Sequence, residues 1–299
     1  MSSEFAISFH NIERKKPNFK LGPITLQIPK GYVTAIVGPN GSGKSTLFRI
    51  LLGISKQDSG EVILFDEPIK PDSNEAYKQR IGFLAETPWE YEDGMKGRQK
   101  AEFNQHWYSN WDINYYQQLV HQLQVNDHLH MGKMSKGMRR KLELVIAMSH
   151  HPELLLLDEP SSGLDPLAWK QMIEILHRYM DTGDRTLLMT THIIDEVKRL
   201  ADYIVFMDQG KVLGTYEKDE LFSSWFTFFI NGEQNIGSLL KQMPGVRKID
   251  HAGNGYFTVT TDNAMEAEQW CNQKQIPITS KQSLELDEIM SMLLLQGQT

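Results

Sequence analysis

Apolar and polar residues follow two rhythms along this chain, and the switches between them predict its elements. From position 4 to 37 the two classes alternate over short runs, as an antiparallel β-rich flank requires, and the stretch ends in the apolar run Val33-Thr34-Ala35-Ile36-Val37. A continuous run of this kind predicts a strand buried on both faces, as in a parallel sheet. Leu47-Phe48-Arg49-Ile50-Leu51-Leu52 then reads as a helix, and Gly60-Glu61-Val62-Ile63-Leu64-Phe65 as a further hairpin region. Residues 92–150 carry mainly helical spacing. From 152 to about 213 strands and helices alternate, with Leu154-Leu155-Leu156-Leu157 and Leu187-Leu188-Met189-Thr190-Thr191 as two more buried strands. That alternation is what a parallel sheet with crossover helices needs.

Residues 220–299 read as a separate, small α+β unit. The pattern predicts a strand from Trp225 to Ile230, a short helix from Ile236 to Met243, and a hairpin of 246–251 and 256–261 across Gly253-Asn254-Gly255. An amphipathic helix over 263–275 follows. A last helix, from Leu284 to Gln296, has its apolar stripe at Leu286, Ile289, Met290, Leu293 and Leu294. This unit shows no catalytic constellation, and Met290 and Met292 are expected to fill gaps in its core.

The chemistry sits where strands end. Between the strand at 33–37 and the helix at 47–52 lies Gly38-Pro39-Asn40-Gly41-Ser42-Gly43-Lys44-Ser45-Thr46. Glycines at 38, 41 and 43 let the backbone curl with its N–H groups inward, where they and the helix N-terminus favour a polyanion. Lys44 is placed to reach the outer phosphates of a nucleotide, and the Ser45 hydroxyl to take one position on Mg²⁺. The strand at 154–157 runs into Asp158-Glu159-Pro160, which puts Asp158 at the sheet edge where ligands bind, as a second metal ligand. Glu159 is the candidate acceptor for a proton from an attacking water. Ser135 and Gly137 in Met134-Ser135-Lys136-Gly137-Met138 fall at the start of a helix, a site with free N–H groups for an anion. His192 ends the strand at 187–191 on the same edge and is expected to contact the terminal phosphate.

This order of motifs resembles the ATP-binding cassette (ABC) ATPases over roughly residues 4–218. GPNGSGKST is similar to the family's Walker A, MSKGM to its signature, LLLLDEP to Walker B, SSGLD to the D-loop, and His192 to the switch histidine. The resemblance implies a P-loop NTPase fold of α/β class: a parallel sheet with an antiparallel β flank, a helical insert at about 92–150, and the small α+β domain at 220–299 appended. It implies ATP and Mg²⁺ as ligands. It further implies a second cassette, identical or related, so that Ser135 and Gly137 of one copy close over ATP held by Lys44 of the other. Glu86 in Ile81-Gly82-Phe83-Leu84-Ala85-Glu86 stands where the family's Q-loop glutamine is usual; it keeps an oxygen for the metal and adds a negative charge. The adenine-stacking tyrosine aligns near Lys16, which leaves Phe19 as the closest aromatic. Lys136 and Met138 replace a usual Gly and Gln. Such variants look like bacterial cassettes serving separate permease subunits in exporter-type systems, among them those of acetoin utilisation and drug efflux. That implies a protein held at the cytoplasmic face of the membrane through its permease.

Composition narrows the classes further. A net charge of −7 opposes binding along a nucleic-acid backbone, so no direct nucleic-acid partner is expected. Arg139-Arg140-Lys141 is expected to be the solvated or phosphate-facing start of the signature helix. The single cysteine, Cys271, excludes an internal disulfide and a cysteine-based metal cluster. The first residues lack a basic and apolar leader, which predicts no secretory signal, and no apolar stretch approaches the ~18 residues of a membrane span. Trp89, Tyr91, Trp107, Tyr108, Trp111, Tyr115 and Tyr116 crowd the helical insert, the expected docking surface for a short helix of a membrane partner. A second reading is a soluble cassette ATPase acting on ribosomes or DNA. The single phosphate loop and the lack of sustained heptads weigh against it.

Overall fold

The computed structural model describes residues 4–69, 75–87, 90–232, 236–251 and 255–296. Contacts divide the chain into two compact units, Met1–Thr215 and Tyr216–Thr299.

The first unit opens with β1 (Phe5–Lys16) and β2 (Phe19–Pro29), an antiparallel pair whose alternating burial follows the two-residue rhythm of the sequence. Then come β3 (Val33–Val37), α1 (Lys44–Leu51), β4 (Ser59–Leu64), the two-residue β5 (Glu67–Pro68) and β6 (Ile81–Leu84). The helical insert consists of α2 (Gly97–Trp107), α3 (Ile113–Gln122) and α4 (Lys136–Met148). Alternation resumes with β7 (Leu154–Asp158), α5 (Pro166–Met180), β8 (Thr186–Thr191), α6 (Ile194–Leu200), β9 (Tyr203–Asp208) and β10 (Lys211–Glu217). Two sheets result. One runs β2-β1-β4-β5; the other runs β10-β9-β3-β8-β7-β6, with β9, β3, β8, β7 and β6 joined by parallel ladders.

Every residue of β3, β7 and β8 is buried, as their unbroken apolar runs predict. The main core gathers Ile7 and Phe9 from β1, Leu47 and Phe48 from α1, and Leu154, Leu188 and Val205 from the parallel sheet. Helix starts are marked by side chains that satisfy orphan N–H groups: Asp112 caps α3, Ser135 caps α4, and Asp165 caps α5 with Pro166 at its first position.

The second unit comprises α7 (Lys218–Ser224), β11 (Phe226–Asn231), α8 (Ile236–Leu240), β12 (Val246–His251), β13 (Tyr256–Thr261), α9 (Ala264–Gln273), β14 (Ile278–Ser283) and α10 (Leu286–Gln296). Its sheet runs β12-β13-β11-β14, a split βαβ arrangement in which β13 lies between the two strands joined through α8. Phe228, Ile230, Phe257, Val259, Ala267 and Cys271 fill its core. The residues that join β12 to β13, 252–254, lie outside the described residues, and with them two of the three predicted turn positions. Trp225 closes α7 instead of opening the strand, and the last helix starts at Leu286 rather than Leu284. Met290 and Met292 are half-buried.

Candidate functional site: a phosphate cradle at the edge of the parallel sheet

β3 hands the chain to a loop that only glycine allows at its first position. A Cβ on Gly38 would lie 2.0 Å from the Met207 carbonyl oxygen, while Gly41 and Gly43 take φ of 82° and 111°. Gly43 precedes α1 with no side chain capping the helix, so the first-turn N–H groups face the loop interior. Pro39, Asn40 and Gly41 are exposed, whereas Ser42, Gly43, Lys44 and Thr46 are buried. The Ser42 hydroxyl oxygen is buried without a hydrogen-bond partner, an orphaned polar atom in the wall of the cradle.

Lys44 Nζ donates to the carbonyl oxygens of Gly38 at 2.7 Å and Pro39 at 3.2 Å. Burial pulls its pKa below the ordinary lysine value, and the charges of Glu159, Asp158 and Glu86 pull it back up. These three carboxylates therefore crowd the ammonium. Lys16, Asn18, Phe19, residues 40–46, Glu86 and Glu159 line a cleft of about 580 Å³. Phe19 packs against the main core as well, and its ring stands 3.0 Å from where a Gly43 Cβ would be.

Asp158 and Glu159 differ in backbone as well as in partners. Asp158 closes the β7 ladder, and its Oδ1 accepts from Ser45 Oγ at 3.3 Å and from the Thr190 hydroxyl. Glu159 then takes a left-handed φ of 49°, which a non-glycine residue holds at a cost of order 1 kcal/mol or more. Its N–H donates to Thr190 O at 3.0 Å, and the turn carries its carboxylate into the cleft. His192 Nδ1 lies 2.8 Å from Glu159 Oε2; with an ionised carboxylate as acceptor, Nδ1 carries the proton and Nε2 is left to accept. The His192 side chain is 57% exposed against 9% for Glu159, so the histidine is the accessible member of the pair.

Ser135 and Gly137 do not join this cleft. Ser135 is exposed and its Oγ accepts from Met138 N at 3.1 Å, while Gly137 sits in the first turn of α4 against Gly163 and Leu164. Lys44, Ser45, Asp158, Glu159, Glu86 and His192 are thus brought together, and the signature residues present a second surface.

Two arginines near the site depart from the sequence expectation, and Glu196 is absent from it. Arg140 is only 3% exposed, and its guanidinium donates to main-chain oxygens of Ala85, Glu86, Asp158, Glu159 and Pro160. Burial brings its pKa down to about 10. Arg139 is buried too, paired with Asp93, Glu92 and Glu143. The expectation of a solvated or phosphate-facing start to this helix therefore fails for both arginines, which are buried against main-chain oxygens and carboxylates outside the phosphate loop. Helical spacing was the available signal, since Arg140 lies four residues before buried Leu144. Glu196 on α6 is likewise buried, and burial first, then the Glu159 charge, raises its carboxyl above the usual glutamate range.

The donor set suits a triphosphate with a hard cation. The orphaned Ser42 hydroxyl and the cradle that a Cβ would fill suit phosphate oxygens; the Ser45 hydroxyl and Asp158 carboxylate suit Mg²⁺, which takes few protein ligands and completes its shell with phosphates and water. Among the described residues no group of three or more His, Cys, Asp or Glu side chains could hold a metal unaided.

The profile of the ABC transporter family matches residues 21–162. The lantibiotic transport ATP-binding protein SrtF of Streptococcus pyogenes is 31% identical over 217 residues, 70% of this chain and 91% of that protein. The bacitracin transport ATP-binding protein BcrA of Bacillus licheniformis is 31% identical over 200 residues, 66% of this chain and 65% of that protein. Among solved structures, a dimeric bacterial ABC transporter cassette superposes with a TM-score of 0.62 at 19% identity, covering 71% of this chain and 98% of that one, a likeness of fold. With its phosphate cradle, its acidic strand end and these relatives, the chain belongs to the ATP-binding proteins of ABC transporters.

Proposed function

We propose that this protein is the energy-coupling ATPase subunit of an export-type transporter, working as a pair of cassettes beneath separate permease subunits. The convergence of Lys44, Ser45, Asp158 and the Glu159–His192 pair on one sheet edge carries this reading. Names of relatives support the direction: one serves lantibiotic transport, one bacitracin transport, and others Nod factor export. No helix among the described residues is long and apolar enough to cross a membrane, so attachment to one is assigned to the permease.

The roles follow from the geometry. ATP lies in the cradle with its phosphates against the loop N–H groups and Lys44, and Phe19 is the aromatic available to its base. Ser45, Asp158 and Glu86 would hold Mg²⁺, which would supply positive charge to the phosphates. Glu159 accepts the proton of the attacking water, because it reaches the cleft and its His192 partner keeps it oriented. His192, exposed beyond Glu159, donates to Glu159 from Nδ1 and turns Nε2 outward; protonated, it contacts the terminal phosphate. Ser135 and Gly137, outside their own cleft, close over the nucleotide of the mate.

The permease helix is assigned to a groove of about 420 Å³ in the insert, lined among others by Phe83, Tyr91, Phe103, Tyr108 and Ile146. Tyr91 and Phe103 are 78% and 58% exposed and supply aromatic anchors. Trp107 is exposed nearby, Tyr116 is buried in the insert, and Trp89 lies outside the described residues.

Glu159→Gln tests the reading. The variant keeps shape and loses the base, so hydrolysis falls by about 10²-fold or more while Mg-ATP drives a stable dimer on size exclusion. Turnover near the wild-type rate removes Glu159 from this role, and a monomer under every nucleotide condition removes the paired cassette.

A further inference from the structure

We propose that Arg140 is a positioning residue for hydrolysis: its guanidinium holds together the two main-chain segments that carry Glu86, Asp158 and Glu159. β6 and β7 are neighbours in the parallel sheet, and their ladder ends at the pair Leu84–Leu157. Beyond that pair each strand runs into the site, one toward Glu86 and the other through Asp158 to Glu159. Arg140 bridges the gap. Nη1 donates to the carbonyls of Ala85 and of Glu86, the latter at 3.2 Å; Nη2 donates to those of Asp158 and of Glu159, the latter at 2.6 Å; Nε donates to Pro160 O at 3.2 Å.

Every acceptor is a main-chain oxygen, and each of the three acidic site residues is held by its own carbonyl. The planar fork of five N–H groups matches two converging strands of carbonyls; a lysine ammonium in the same place has three donors at one point. The charge also matters. A buried cation usually pairs with a carboxylate, yet Arg140 is satisfied by dipoles, leaving its field to act on Asp158, Glu143, Glu196 and Glu86 around it. Two of these four carboxyls belong to the assigned metal site.

Arg140 rises from α4, whose first turn carries Ser135 and Gly137. A displacement of α4 is therefore delivered to the main chain of Glu159 through buried hydrogen bonds. Arg140 makes none with the phosphate loop, so it separates hydrolysis from nucleotide capture. That the positioned groups act in hydrolysis rests on the proposed function.

The experiment compares Arg140→Lys and Arg140→Gln with Arg139→Gln in the full-length protein. Arg139 is buried on the same helix, but its partners are Asp93, Glu92 and Glu143, so its variant gauges the general cost of losing a buried arginine. Steady-state ATP hydrolysis, the Mg²⁺ concentration for half-activity and the thermal midpoint are measured for each. Both Arg140 variants lower kcat by about 10- to 100-fold and raise the half-activating Mg²⁺ concentration, with the ATP KM within about threefold of wild type. Arg139→Gln loses thermal midpoint and keeps kcat within about twofold. Unchanged kcat in both Arg140 variants overturns the inference, as does a fall in kcat that Arg139→Gln shares in proportion to its loss of midpoint. Failure of both Arg140 variants to fold while Arg139→Gln folds also overturns it, since Arg140 is then a residue of stability. No hydrolysis in the wild type overturns the proposed function itself; hydrolysis in wild type with equal rates in all variants overturns this inference alone.

Discussion

Acid should weaken this protein through one histidine. His150 follows α4 and is 1% exposed, with its Nε2 3.1 Å from the Ile81 carbonyl and its ring stacked on Tyr108 at 3.7 Å between centroids. The carbonyl accepts, so Nε2 carries the hydrogen, and Nδ1 is buried with no partner. Protonation would place a charge and a further N–H at a buried nitrogen that faces no protein acceptor. Burial accordingly lowers the pKa to about 4 from 6.5, against the opposing pull of the Ile81 carbonyl, with His151 lowering it further. The unfolded chain takes up this proton first as pH falls. Stability from His150 is therefore present above about pH 6.5, is lost as pH falls toward 4, and changes no further below that.

At about 1.4 kcal/mol per pKa unit, the full loss is about 3 kcal/mol, of which about 2 kcal/mol is reached by about pH 5. His150→Gln keeps a donor for Ile81 O and does not titrate. Urea unfolding of both proteins, followed by tryptophan fluorescence at about pH 7.5 and about pH 5, isolates the effect, because other titrating groups cancel in the difference. Wild type should lose about 2 kcal/mol more than the variant between the two conditions. Parallel pH dependences would refute the reasoning. The site is involved as well, since His150 fastens the end of α4 to β6, the strand that leads to Glu86.

Two further outcomes follow from local geometry. Gly38→Ala places a methyl group 2.0 Å from the Met207 carbonyl, so the cradle must shift, and the affinity for a fluorescent ATP analogue should fall by about tenfold or more while the second unit stays folded; unchanged affinity would mean that the loop has room. Glu196→Gln removes a buried carboxyl whose pKa is raised above its unfolded value. Stability from that group is present below the unfolded glutamate pKa and lost as pH rises through the folded one. The thermal midpoint gained by the variant over wild type should thus be larger at about pH 8.5 than at about pH 5, and an equal gain at both would contradict the burial argument.

What the sequence discloses and what it conceals divide along the range of the interactions involved. β3 and β7 are legible because short apolar runs bounded by loop signals suit a two-sided interior. The phosphate loop is legible because its glycines, its lysine and its flanking elements are contiguous, so the chemistry is written within a dozen positions. The cap Ser135 is local in the same sense. β14 is not legible: Ile-Thr-Ser-Lys-Gln-Ser is polar and exposed over most of its length, and it is a strand only because β11 offers a ladder. Nor does α7 announce itself, with one buried residue in seven.

The arginines expose a conflict between two local rules. A run of three cations reads as a solvated face by charge, while its place in α4 puts Arg140 on the stripe of Leu144 and Ala147, which is buried. Position wins, because the β6–β7 ladder ends at Leu84–Leu157 and the main-chain oxygens beyond it accept from the Arg140 guanidinium. Those oxygens come from residues 85, 86, 158, 159 and 160, 18 to 55 positions away, so nothing near Arg140 in sequence reveals them. A cation on a core stripe, within reach of strand ends that carry acidic site residues, is better read as wiring for those ends than as surface.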